Sequence, residues 1–129
     1  MLKIILVIAV LIGAALYFPR TRPIVLDAAA PVIDPVLSWQ TRGEMNQLAR
    51  DLEQRERASR HLPNPRTQWP PAWIEREYQG GDATVDAWGT PYTYQLGRDS
   101  FTLTSFGPDA ERGTDDDIVV TRERIYPAR

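Results

Sequence analysis

Two clusters of proline constrain this chain more than any other feature: Pro19, Pro23, Pro31 and Pro35 near the amino terminus, and Pro63, Pro65, Pro70 and Pro71 near the middle. Proline supplies no backbone N–H, and its ring clashes with the carbonyl four residues back, so each cluster opposes a continuous helix. The first predicts an extended spacer over 19–35, and the second a loop over 61–71. Between them Met45, Leu48, Ala49 and Leu52 recur at helical spacing and predict one amphipathic helix. Thr41-Arg-Gly-Glu44 has the form of a capping box at its start. Val36, Leu37 and Trp39 offer an earlier turn, which Gly43 weakens by about 1 kcal/mol relative to alanine. Asp51 with Arg55, Glu53 with Arg57 and Glu56 with Arg60 are four-residue charge pairs, which mark a solvated face. The helix is expected to stop near Arg60.

Beyond the second cluster the period changes. Ala72 to Tyr78 predicts a short helical or extended piece ended by Gly80-Gly81. Tyr92 to Leu96 alternates, Gly97-Arg98-Asp99-Ser100 reads as a turn, and Phe101 to Ser105 alternates again, which is a hairpin pattern. Ile118 to Thr121 supplies a third strand. The expected architecture is α+β, one helix on a small antiparallel sheet, with no role assigned to residues 63–81.

Composition removes several functions. At 129 residues, one domain with a small core is expected. A net charge of −2 with well-mixed signs gives no basic surface for nucleic acid. The chain has no cysteine, so neither a disulfide framework nor a thiolate metal site can form. Its single histidine, His61, has no obvious catalytic partner, and no Ser, Cys or His constellation for covalent catalysis is visible. Trp88, Tyr92 and Tyr94 could form an aromatic ligand surface, but such residues are more often core; no small-molecule substrate is expected.

The amino terminus points to a membrane. From Ile4 to Phe18 no charge interrupts the run IILVIAVLIGAALYF, with Lys3 before it and Arg20 and Arg22 after it. The run is short for a spanning helix, but Met1, Leu2 and a snorkelling Lys3 extend it, so residues 1–18 are read as a single uncleaved anchor. Residues 19–35 are then a linker and 36–129 a separate domain. A cleaved signal peptide is the competing reading, with Ala28-Ala29-Ala30 as a site, though these alanines lie far beyond the apolar run. Charge counting alone slightly favours the inner side for residues 36–129, since Arg20 and Arg22 follow the run.

The most acidic stretch is Ser105-Phe-Gly-Pro-Asp109-Ala-Glu-Arg-Gly-Thr-Asp115-Asp116-Asp117-Ile118. Its acids repel one another unless water, salt or a metal neutralises them. Ca2+ suits such a loop, because it takes carboxylates and backbone carbonyls together. Asp109 can serve one end, Asp116 and Asp117 the other, with Gly107 and Gly113 permitting a tight wrap. Spacing rules out an EF-hand: counted from Asp109, the glycine position holds Thr114 and the final glutamate position holds Val120. Two alternatives remain open, ordinary turn-forming aspartates and a Mg2+-dependent or hydrolytic aspartate cluster.

Two ordered blocks resemble the carboxyl-terminal domain of the G-type, or major, pseudopilin of type II secretion systems. DAWGTPYTYQL, residues 86–96, is similar to the family's D-x-W-G-x-P-Y-x-Y, and FTLTSFGPDAERGTDDDI, residues 101–118, to its F-x-[LI]-x-S-x-G-x-D with a later acidic pair. The resemblance implies a pilin-like fold whose last loop binds Ca2+, with an inner-membrane anchor, a periplasmic domain, pilin-like or secretion-system partners and no catalysis. By position, Asp109, Asp116 and Asp117 would supply side-chain ligands, and Phe106, Glu111 and Thr114 backbone carbonyls. Asp115 falls outside the matched positions, and Ala110 stands where the family often has glycine. The amino terminus departs from the pattern, since no glutamate lies in the apolar run and prolines interrupt the helix by which pilins pack. An uncleaved anchor is therefore expected, with a processed, polymerising pseudopilin as the alternative.

Overall fold

The computed structural model describes residues 2–78 and 83–128, so the expected stop at Gly80-Gly81 lies outside the described residues. The chain divides into two compact units, Met1–Val36 and Leu37–Arg129. In the first, helix α1 covers Leu2–Tyr17. A turn follows, in which the amides of Thr21 and Arg22 donate to the Phe18 carbonyl at 3.1 and 3.2 Å. No helix among the described residues is long and apolar enough to cross a membrane. The 16 residues of α1 reach about 24 Å, against a hydrocarbon core of roughly 30 Å.

Helix α2 runs over Arg22–Ser59 with Pro31 and Pro35 inside it, which corrects the extended spacer expected over 19–35. Pro23 occupies the first turn, where an N–H would have no intrahelical partner in any case. Pro31 and Pro35 each forgo one bond, and the carbonyls they leave, on exposed Asp27 and Pro31, face water that can bind them. The capping box is overturned for the same reason. Thr41 is interior to α2 and fully buried, and its hydroxyl accepts a hydrogen bond from the Ala87 amide at 3.3 Å.

The second unit holds the core. Strands β1 (Thr93–Leu96), β2 (Ser100–Ser105) and β3 (Ile118–Glu123) form an antiparallel sheet in the order β1-β2-β3. Tyr94 faces Leu103, Leu96 faces Phe101, and Val120 faces Leu103 across the ladders. Alternation therefore puts Tyr94, Phe101, Leu103, Ile118 and Val120 on one face, where they join Met45, Leu48, Ala49 and Leu52 of α2. Leu62 and Ile74, the latter on the short helix α3 (Ala72–Glu77), close the core. Trp69 stacks on Tyr94 at 4.5 Å between ring centroids, which gives the proline-rich loop its attachment. This is the expected α+β architecture, a helix packed on a small antiparallel sheet.

The apolar stripe of α2 ends on a charge. Glu56 lies four residues beyond Leu52 on the same face and is fully buried, not part of the solvated face read from its spacing to Arg60. Its carboxylate accepts from the amides of Ile125 at 2.9 Å and Tyr126 at 3.3 Å, with the Arg124 guanidinium 3.6 Å away. Asp51 and Glu53 also find partners distant in sequence: Asp51 accepts from the Tyr78 hydroxyl, and Glu53 lies 3.8 Å from Arg122. At Arg60, whose φ is 62°, the amide bonds the Glu56 carbonyl at 2.7 Å and ends the helix as expected.

Glu56→Ala leaves two amides without their acceptor and a nearly buried arginine without its counter-charge. It should lower the unfolding free energy by about 3 kcal/mol in urea titration. A loss under about 0.5 kcal/mol would show that water replaces the carboxylate.

Candidate functional site

The acidic loop grows out of the last residue of β2. Phe101, Leu103 and Ser105 point to the core by strand parity, so Ser105 is a hydroxyl where a hydrocarbon is expected, and it is fully buried. A buried hydroxyl needs a partner. Ser105 Oγ donates to Asp86 Oδ2 at 2.7 Å and accepts from the Gly107 amide at 3.2 Å. Asp86, also buried, accepts on Oδ1 from the amides of Trp88 at 3.1 Å and Thr90 at 2.8 Å. The carboxylate thus shapes its own turn and reaches across to the loop.

Gly107 joins the two ends of that loop. Its φ is +67°, and a Cβ added there would stand 2.4 Å from the Asp116 carbonyl oxygen, so only glycine allows the two backbones to approach. Within the loop, Asp109 Oδ1 accepts from the Glu111 amide at 2.9 Å, and Asp117 Oδ2 from the Gly113 amide at 2.8 Å. The Glu111 carbonyl accepts from the Thr114 hydroxyl at 3.2 Å, and the Thr114 carbonyl from the Asp117 amide at 3.2 Å. Each of those carbonyls keeps a second lone pair.

Of the six residues expected to ligate an ion, Asp109, Glu111 and Asp116 are exposed, while Phe106, Thr114 and Asp117 are half-buried. The three aspartate side chains are not gathered. Among the described residues no group of three or more carboxylate or imidazole side chains is placed to hold a metal ion. Asp109 and Asp117 instead turn their oxygens to loop amides, as turn-forming aspartates do. One observation runs the other way. Asp117 Oδ1 is buried with no hydrogen-bond partner, and an orphaned anionic oxygen favours a nearby cation. The oxygen-only donors and the backbone closure at Gly107 suit Ca2+.

The flanking aromatics are core. Tyr92 and Tyr94 are buried, and burial raises both hydroxyls well above the ordinary phenol range, Tyr92 further through Glu44 and Asp86. For Tyr94, Arg124 opposes that rise and Glu56 adds to it. Trp88 packs half-buried against the same cluster. His61 is exposed at the end of α2, with Nδ1 2.8 Å from the Ser59 carbonyl, on the rim of an open groove of about 500 Å³ beside Arg55 and Trp73.

Two supports were missed in the sequence, each with a readable signal. The core parity of Ser105 called for a buried partner, and Asp86, at the head of the turn before β1, is a short acceptor able to supply one.

The family model described as type II secretion system (T2SS), protein G, matches residues 44–122, and so spans the blocks 86–96 and 101–118, nearly all of the sheet and the helix stripe from Met45 to Leu52. No curated protein and no solved structure matches the chain.

Gly107→Ala should destabilise the protein by about 2 kcal/mol or more, because it adds a backbone collision to the left-handed penalty. Gly113→Ala meets nothing within 4 Å and should cost about 1 kcal/mol. Ala110, held at φ 55°, should gain about 0.5 kcal/mol as glycine. Chemical denaturation of the three variants checks the order, and equal losses at both glycines would refute the backbone closure.

Proposed function

Because the chain belongs to the type II secretion system protein G family, we propose that it is a pseudopilin-like structural component of a type II secretion or related envelope-assembly system. In this reading its amino-terminal segment is held in the inner membrane and Leu37–Arg129 stands in the periplasm, where it contacts other pilin-like or secretion-system proteins. The family match over 44–122 is the observation that carries the reading. The role is mechanical, and no catalytic step is assigned to any residue.

Support for the membrane comes from α1. Ile4, Ile5 and Leu6, which point to three different sides, are all at least 60% exposed, and a helix that is apolar on every side needs apolar surroundings. Its shortfall in length is met by local thinning of the bilayer and by snorkelling of Lys3. A second reading, a processed subunit that polymerises, gains from one observation. Because α2 continues through Pro23, Pro31 and Pro35, those three no longer argue against a long packing helix, and the break is confined to the turn at Pro19. Mass spectrometry of the membrane-extracted protein separates the two: an intact Met1 supports the anchor, and a methylated new terminus supports processing.

The second element of the proposal is a structural Ca2+ held by the side chains of Asp109, Asp116 and Asp117 and the carbonyls of Phe106, Glu111 and Thr114. When bound, the ion supplies positive charge to a loop that otherwise holds five acids against Arg112. It would also give the orphaned Asp117 Oδ1 a partner. An ion that binds only the folded state adds about 2.7 kcal/mol at a hundredfold excess over Kd. That corresponds to a rise of roughly 10 °C or more in thermal midpoint for a domain of this size.

The expected result is a midpoint raised by Ca2+, lowered by chelation, and insensitive to Ca2+ in Asp117→Ala. An unchanged midpoint with and without Ca2+ in the wild-type chain would sink the structural-ion claim.

A further inference from the structure

We propose that Asp86 and Ser105 are positioning residues that set the Ca2+ affinity of the acidic loop without touching the ion. The inference rests on the structural-ion reading above and adds to it a coupling between the Asp86–Tyr92 turn and the loop.

The coupling begins with a buried carboxylate. Asp86 is 5% exposed, and its oxygens are committed to three donors, the Trp88 and Thr90 amides and the Ser105 hydroxyl. An ionised carboxylate can only accept, so the Ser105 proton must point at Asp86. The lone pairs of Ser105 Oγ are thereby left for the Gly107 amide, 3.2 Å away, and donation to an anion strengthens the hydroxyl as an acceptor.

Peptide planarity carries the effect onward. The Gly107 N–H belongs to the same rigid unit as the Phe106 carbonyl, and in a trans peptide the two point in opposite directions. Holding that N–H on Ser105 therefore aims the Phe106 carbonyl away from the core, and this carbonyl is one of the assigned ion ligands. The same bond holds Gly107 against the Asp116 carbonyl, so the first and last parts of the loop are fixed together. Asp86 is fastened in turn, since its own amide donates to the Thr90 carbonyl at 2.8 Å and the adjacent Ala87 amide donates to Thr41 of α2.

A residue that only stabilises the fold would lower the midpoint equally with and without Ca2+. A positioning residue also weakens ion binding, and it shrinks the increment that Ca2+ adds. The test compares wild-type full chain, Ser105→Ala and Ser105→Thr by calorimetric titration with CaCl2 and by thermal melts in Ca2+ and in chelator. Ser105→Ala should bind about tenfold more weakly, the loss expected from one buried hydrogen bond, with a reduced increment. Ser105→Thr keeps the hydroxyl and should recover most of both. Asp86→Asn provides a second route, since its Oδ1 still accepts from the turn amides while its NH2 cannot accept from Ser105. It should likewise weaken Ca2+ binding. Amide exchange in chelator should be faster at Gly107 in both loss variants. Wild-type protein that binds Ca2+ while Ser105→Ala and Asp86→Asn bind it equally tightly would overturn the relay alone. Wild-type protein that binds no Ca2+ would overturn the ion reading and the relay with it.

Discussion

Asp86 is the interaction on which the carboxyl-terminal half of the chain depends. A carboxylate taken out of water is costly unless its oxygens are fully hydrogen-bonded. Here the donors come from two amides of its own turn and from the end of β2. Satisfying the charge therefore forces the turn to close and the strand end to lie beside it. The start of the acidic loop is then set by Ser105, and the turn is tied to α2 through Thr41. Apolar packing alone would hold the sheet to the helix, but it would not fix where the loop begins.

Glu56 does the corresponding work at the other end of the core. It occupies the helical position that would extend the apolar stripe, and its two amide donors come from the segment just after β3. The turn between β1 and β2 is fastened to that same segment, because the Arg124 amide donates to Asp99 and its guanidinium to the Gly97 carbonyl. Two buried carboxylates thus bracket a core of modest size. A small domain with little apolar area gains specificity of register from such groups, since a slip of one residue would strand a charge.

The core was legible in the sequence because it follows simple periods. Met45, Leu48, Ala49 and Leu52 form the helix stripe, and Tyr94, Phe101, Leu103 and Val120 the sheet face. What failed were rules that depend on whether a backbone group has another partner. Proline opposes a helix only where the lost bond is not made good, and at Pro31 and Pro35 the released carbonyls face solvent. Thr41 has the signature of a cap, yet a helix that has already begun at Arg22 needs none there. Charge spacing on α2 pointed to local pairs, whereas Glu53 lies beside Arg122 of β3 and Glu56 accepts from amides of the tail, which no local pattern can reveal. For the loop, the six assigned residues rest on the resemblance alone, while the turning of Asp109 and Asp117 toward amides depends on backbone angles at Ala110 and Gly113, which no sequence pattern displays.

Those amide contacts bear on how an ion would be held. With Asp109 and Asp117 each bonded to a loop amide, an arriving cation trades charge-assisted hydrogen bonds for coordination, and gains only the difference. The orphaned Asp117 Oδ1 needs no such trade, so it is the natural first contact. Backbone placement at Gly107 and Asp116 is imposed from the core side by Ser105 and Asp86. If the proposed ion binds, its binding free energy would go to turning side chains rather than to ordering backbone, and the affinity would depend as much on the buried Asp86 and Ser105 as on the acids of the loop.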